Sequence, residues 1–211
     1  MKQDTEALLA VLRRAPVVPV LIVDDVDHAI PLARALVAGG LPALEVTMRT
    51  PVALDVIRAM STVEGAFVGA GTVLDPAMAD AAKAAGATYM VSPGATPTLL
   101  AHAIEVGVPL LPGVATASEA MMAREAGYRL MKFFPAGPAG GPNYLKALSS
   151  PLADVMFCPT GGVSLANARD YLTLPNVVVV GGSWVAPADA MAAGDWGRIE
   201  TLAREAAALA A

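Results

Sequence analysis

A closed (β/α)8 barrel of the TIM type, with an extra N-terminal helix capping its bottom, is the fold class the sequence predicts from three observations. Eight short β-rich runs occur, a helical Ala-rich segment follows each of them, and 211 residues suit one barrel domain spanning residues 1–211. No linker, low-complexity tract or composition shift divides the chain.

The extra helix comes first, over about Thr5 to Arg14, where apolar and polar residues alternate at helical spacing. This opening stretch carries Asp4 and Glu6 and lacks the uninterrupted apolar run of a secretion signal. Strands are expected at Val17–Val23, Ala43–Met48, Phe67–Val73, Tyr89–Ser92, Pro109–Val114, Leu130–Phe134, Val155–Cys158 and Val177–Val180. Their starts lie within about 18–26 residues of one another, room for a strand, a short loop and a helix of two to three turns. Helix starts are expected at Asp75–Pro76, Thr96–Pro97 and Ser164, where a side-chain oxygen can accept from the first free N–H groups. Helix stops are expected at Gly39–Gly40, Gly86, Gly107 and Gly127, and Ile199 to Ala211 reads as the closing helix. An open doubly wound sheet would show the same alternation, but its dinucleotide fingerprint is missing: Gly69-Ala70-Gly71 is followed by Thr72, Val73 and Leu74 rather than a third glycine.

Hydrophobic residues make up 55% of the chain and charged ones 16%, which excludes a disordered protein. The net charge of −5 argues against nonspecific nucleic-acid binding, which needs clustered Lys and Arg. An anionic ligand must therefore be held by local groups. Cys158 is the single cysteine and can form no internal disulfide, so a reducing cytoplasm is expected. No apolar run approaches the roughly 18 residues that span a bilayer, so no membrane partner is expected.

Both faces of a strand in a parallel barrel are buried, so an ionisable group there needs a reason. The sixth strand contains Lys132 among Leu130, Met131, Phe133 and Phe134, whereas the other lysines, Lys2, Lys83 and Lys146, fall on terminal or helical surface. Burial disfavours the ammonium form, and the neutral amine is the form that attacks a carbonyl. The plainer reading is a structural lysine paired with a carboxylate. On the second strand, alternation places Glu45, Thr47 and Arg49 on one face, Glu45 deep and Arg49 near the rim. A partly buried glutamate beside a lysine can shuttle protons, and Arg49 can hold a carboxylate by two hydrogen bonds; an ion pair without chemical use is the plainer alternative.

The third strand ends Gly69-Ala70-Gly71-Thr72, with glycines that let backbone approach a ligand and a hydroxyl on Thr72. Ser92-Pro93-Gly94 and Leu111-Pro112-Gly113 read in isolation as strand-ending turns. The last two strands end Pro159-Thr160-Gly161-Gly162 and Gly181-Gly182-Ser183, glycine loops at a common phosphate position of this fold, reached without a basic side chain. Glycines serving only tight turns are the alternative. His28 and His102 lie on expected helices and cannot form a metal cluster with one cysteine, so neither metal nor cofactor is expected. Cys158 reads as a buried core thiol, and Met121, Met122, Trp184 and Trp196 as packing.

Long motifs in order carry a resemblance: LVAGGLPALEVTMRT around Glu45, VGAGTVLDP around Thr72, MKFFPA around Lys132, FCPTGGVS, and GGSWVAPADA. Over nearly its whole length the chain resembles the 2-keto-3-deoxy-6-phosphogluconate (KDPG) aldolase and 4-hydroxy-2-oxoglutarate aldolase family. The resemblance implies a Schiff-base lysine at Lys132, a proton-transferring glutamate at Glu45, and substrate contacts at Arg49, Thr72, Pro93, Thr160, Gly161, Gly162 and Ser183. Gly182 stands beside Ser183 in the expected phosphate loop. It further implies a homotrimeric, metal-independent barrel of the Entner–Doudoroff pathway whose substrate is a phosphorylated 2-keto acid. The loop Ala136–Pro142 is richer in Gly and Pro than the family pattern, and Thr160 favours the gluconate over the galactonate epimer. The alternatives are a galactonate-type aldolase, a phosphosugar isomerase or epimerase barrel, which would need no imine, and a noncatalytic sugar-phosphate sensor.

Overall fold

The computed structural model describes residues 3–209. The ends of the expected 1–211 domain, the surface position expected for Lys2, and the last two residues of the expected closing helix, Ala210 and Ala211, lie outside the described residues.

Helix α1 (Thr5–Leu12) begins where the Asp4 carboxylate accepts from the Ala7 N–H at 2.9 Å. It ends two residues earlier than expected, because Arg14 N–H reaches back only three residues, to Val11 O. Strands β1 (Val17–Leu21), β2 (Ala43–Thr47), β3 (Phe67–Gly71), β4 (Tyr89–Val91), β5 (Leu110–Leu111), β6 (Gly113–Val114), β7 (Leu130–Phe133), β8 (Met156–Pro159) and β9 (Val180–Gly182) follow. Helices α2 (Ala29–Ala38), α3 (Ala53–Met60), α4 (Pro76–Ala84), α5 (Pro97–Val106), α6 (Ala117–Glu125), α7 (Gly141–Leu148), α8 (Ala168–Leu172), α9 (Ala188–Ala193) and α10 (Trp196–Ala207) are set among them.

Every strand pairing is parallel. A six-stranded sheet runs β5-β4-β3-β2-β1-β9 and a three-stranded sheet β6-β7-β8. Isolated parallel bridges, Phe157 to Val177 and Thr160 to Gly181, link β8 to the β9 region. The architecture is thus an α/β fold with a curled parallel sheet.

The expected fifth strand is two short pieces, because Pro112 has no N–H to give the ladder; its carbonyl still accepts from Lys132 N–H at 2.8 Å. The last strand lies later than expected, at Val180–Gly182 rather than Val177–Val180. Its register with β1, Val17 to Val180 and Pro19 to Gly182, outweighs the low strand preference of glycine, and Val177 keeps only its isolated bridge.

Asp75 and Thr96 cap α4 and α5 as expected, accepting from Met78 and Leu99 N–H groups. Gly107, in the left-handed conformation at φ +77°, ends α5. Ser164 does not cap a helix. Its N–H donates to Asn167 Oδ1 at 2.8 Å, and α8 starts only after Asn167. Met121 and Met122 are each 52% exposed, so the expectation that they pack is wrong: α6 buries Ala120 and Ala123 and turns the methionines outward.

Buried side chains form two clusters. The larger lies between the strands and the covering helices. The smaller joins Leu8, Leu9 and Leu12 of α1 to Ala43, Leu130 and Val179. Burying each such leucine is worth about 1.5–3 kcal/mol. Among the described residues no helix is long and apolar enough to cross a membrane.

Candidate active site

Lys132 and Glu45 meet inside the curled sheet. Lys132 Nζ donates to Glu45 Oε1 at 3.2 Å, with the two side chains 4% and 3% exposed. Alternation puts Glu45 on the same face of β2 as Thr47, whose hydroxyl donates to Leu21 O at 2.8 Å. Ala43, on the same face, faces the α1 leucines. A proton can pass along the Lys132–Glu45 hydrogen bond without contact with bulk water.

The glycines of β3 serve a different purpose from the expected approach to a ligand. A Cβ at Gly71 would lie 2.4 Å from Glu45 Oε1, and one at Gly69 would lie 2.3 Å from the Tyr89 ring. These two positions make room for neighbouring side chains. Gly181 does the same for Thr160, whose Oγ1 a Cβ there would meet at 2.3 Å. Gly113 is also not a turn residue: it lies in β6, where a Cβ would strike the Pro93 carbonyl carbon at 2.2 Å.

A cavity of about 180 Å³ opens over the lysine. Of the expected residues, Arg49, Lys132, Thr160, Gly161, Gly162, Gly182 and Ser183 line it. Glu45 stands behind the wall, joined through Lys132, and Thr72 is joined through Arg49, whose Nε donates to Thr72 Oγ1 at 3.0 Å. Thr72 is the one non-glycine among the described residues at positive φ, +61°, a conformation that strains a β-branched residue. Pro93 is not brought to this wall; its carbonyl abuts Gly113 instead. Gly161 and Gly162 take positive φ, +91° and +79°, whereas Gly182 lies in β9 beneath the Trp184 ring.

Sequence reasoning missed Val20, Ile22, Phe134 and Val163 on the wall. Period two was the available signal for Phe134, two residues beyond Lys132; Lys132 Nζ lies 5.2 Å from its ring centroid. A larger cleft of about 560 Å³ adjoins across Val20, Ile22 and Ser183, with Asp24, Asp25 and His28 as its ionisable groups. Lys132 and Arg49 both open into the smaller cavity and neither lines the larger cleft.

Burial, then Glu45, push the Cys158 thiol up to about 12, against the smaller opposing effects of Lys132 and Thr160. This protonated thiol sits opposite Lys132 in register and is no nucleophile. His28 belongs to a 3-10 turn, and His102, on α5, pairs with Asp80 at 2.9 Å. Among the described residues no three His, Cys, Asp or Glu side chains group to hold a metal ion.

The family model described as "Aldolase: KDPG and KHG aldolase" matches residues 8–202. The chain is 50% identical over 207 residues to the KHG/KDPG aldolase of Escherichia coli K12, covering 98% of this chain and 97% of that one. It superposes with TM-score 0.90 on the 2-keto-3-deoxy-6-phosphogluconate aldolase of Zymomonas mobilis ZM4 with 3-phosphoglycerate, at 49% identity and 95% and 94% coverage. The KDPG aldolase of Legionella pneumophila, with pyruvate captured as a covalent carbinolamine, gives TM-score 0.92 at 44% identity, covering 94% of this chain and 97% of that one. With a buried lysine–glutamate pair whose lysine lines the cavity and a family match over most of its length, the chain belongs to the KDPG and KHG aldolase family.

Proposed function

We propose that this chain is a class I aldolase that cleaves 2-dehydro-3-deoxy-6-phosphogluconate to pyruvate and D-glyceraldehyde 3-phosphate. The same reading extends to 4-hydroxy-2-oxoglutarate, cleaved to pyruvate and glyoxylate. The observation that carries it is the enclosed contact of Lys132 Nζ with Glu45 Oε1 at 3.2 Å, behind a cavity that Lys132 and Arg49 line. The relatives named above support it, above all the one that holds pyruvate covalently as a carbinolamine.

In the proposed mechanism Lys132 passes a proton to Glu45, and the neutral amine attacks the C2 ketone. Glu45 returns the proton to the departing hydroxyl, so water leaves and a protonated imine forms. The Glu45 carboxylate then takes the C4 hydroxyl proton, the C3–C4 bond breaks, and its electron pair moves into the imine to give an enamine. Glyceraldehyde 3-phosphate departs. Protonation of C3 by Glu45 gives the pyruvyl imine, and addition of water releases pyruvate and the free lysine. Arg49 and Thr72 orient the pyruvyl carboxylate, Thr160 contacts the substrate, Pro93 bears on Gly113, the residue in register with Lys132, and Gly161, Gly162, Gly182 and Ser183 hold the phosphate.

Borohydride added with pyruvate attaches a stable mass increment at Lys132, read by peptide mass spectrometry. Lys132→Ala abolishes it together with lactate-dehydrogenase-coupled pyruvate release. Intact activity in Lys132→Ala would refute the assignment.

The wider reading is a single-domain, cytoplasmic homotrimer whose sheet closes as a (β/α)8 barrel with α1 beneath it. The parallel bridges from β8 to the β9 region support closure, and the shared cluster of Leu8, Leu9 and Leu12 with inward strand residues supports the cap. Sedimentation equilibrium at three times the monomer mass is the test of the trimer.

A further inference from the structure

Tyr89 is a buried titratable group that the mechanism leaves unused. It is fully enclosed, and its hydroxyl has no hydrogen-bond partner among the described residues. Buried hydroxyls are paired in the great majority of proteins, because an orphan forfeits its hydration without return.

Its place in the sheet is specific. Glu45 on β2 pairs in register with Gly69 on β3, and Gly69 with Tyr89 on β4. The Tyr89 ring lies across β3: a Cβ at Gly69 would sit 2.3 Å from both Cε2 and Cζ, so the hydroxyl-bearing end reaches over that glycine toward β2. The Glu45 carboxylate lies over the same strand, 2.4 Å from where a Cβ would stand on Gly71. Phenol and carboxylate therefore occupy positions two residues apart along one glycine track, a repeat of about 6.6 Å, and the hydroxyl projects beyond Cζ. Burial above all, then Glu45 and Cys158, push the phenol well above its ordinary value, so it stays a donor. Among the described residues, Lys132 on β7, Cys158 on β8 and Tyr89 on β4 are the titratable groups that face Glu45; β1 presents Val20, in register with it.

We propose that Tyr89 is a positioning residue held in reserve for Glu45: when Lys132 becomes the imine, the Glu45 carboxylate turns to the Tyr89 hydroxyl, which donates to it. The inference rests on the aldolase reading above. In the free protein Lys132 Nζ is the donor to Glu45. Converting an ammonium with three rotatable protons into a protonated imine with a single N–H, fixed in the plane of its double bond, cuts what Lys132 can donate while the carboxylate is still enclosed. A second donor on the same track compensates for it and holds the base for the C4 hydroxyl.

Tyr89→Phe removes the oxygen and keeps the ring. The expected result is a fall in kcat of about ten- to a hundred-fold, the worth of one hydrogen bond to a charged group, with KM unchanged and thermal stability equal or higher because an orphan hydroxyl is gone. Borohydride trapping of pyruvate at Lys132 persists in the variant. An unchanged kcat with trapping intact leaves the hydroxyl merely structural and overturns the proposal, while the aldolase reading stands. Absence of trapping in the unaltered protein removes both. A crystal structure of the unaltered protein reduced with pyruvate gives the second readout: a Tyr89 Oη to Glu45 carboxylate hydrogen bond supports the proposal, and a hydroxyl still without Glu45 as its acceptor overturns it.

Discussion

Replacing Lys132 with methionine keeps the length of the side chain and removes its charge, leaving the Glu45 carboxylate buried at 3% exposure without its 3.2 Å donor. Breaking a buried pair from one side costs about 3–5 kcal/mol, mostly as the penalty of the charge left behind. Replacing Glu45 with glutamine in the same chain removes that charge too. The double variant Lys132→Met/Glu45→Gln is therefore expected to recover at least about 2 kcal/mol of what Lys132→Met alone loses. Urea unfolding followed by far-UV circular dichroism near neutral pH measures it. With a slope of about 2–3 kcal/mol per molar urea, Lys132→Met shifts the midpoint down by roughly 1–2 M, and the second change restores about 1 M. All these variants are expected to release no pyruvate, which separates the stability effect from the chemistry. Losses that add to within about 0.5 kcal/mol would show that the two side chains do not depend on each other, and would refute the reasoning from burial.

Gly71→Ala puts a methyl where Glu45 Oε1 now lies, so the carboxylate must move. Pyruvate release is expected to fall about a hundred-fold while borohydride trapping at Lys132 remains detectable. Glu119 accepts from the N–H groups of Ala115 and Thr116 at 2.7 and 2.9 Å, and the Ala115 hydrogen bond, more than the Thr116 ones, holds its carboxyl below the usual range despite partial burial. A folded value lowered in this way gives stability that is present above the unfolded value and lost as pH falls through the folded one. Glu119→Gln should accordingly lower the urea midpoint at neutral pH and leave it unchanged in acid. With its thiol pushed to about 12, Cys158 should resist iodoacetamide in the folded protein at mildly alkaline pH and react on unfolding, as mass spectrometry would read.

The buried Lys132–Glu45 pair was legible because burial in a parallel sheet leaves few reasons for either residue to sit in a strand, and period two set their faces. The helix caps at Asp75 and Thr96 were legible because capping is local. What was not legible depends on partners distant in sequence. Gly69, Gly71 and Gly181 were read as ligand approaches or phosphate loops. Their partners, Tyr89, Glu45 and Thr160, lie on neighbouring strands, and only the register reveals which side chain each glycine makes room for. The last strand was placed early because the Val177–Val180 run has high strand preference, whereas pairing with Val17 fixes the strand at Val180–Gly182. Pro93 follows the same lesson: its neighbour Gly113 was read as part of a separate turn.

The leucines of α1 share their cluster with Val179, about 170 residues further along the chain, and β1 gains its β9 neighbour through the same segment. During synthesis the chain must therefore carry a bare apolar helix and a strand edge with unspent hydrogen bonds until that segment emerges. Nascent chains stopped before Val179 should be sticky and chaperone-bound, whereas chains released beyond Gly182 can sheathe both liabilities at once.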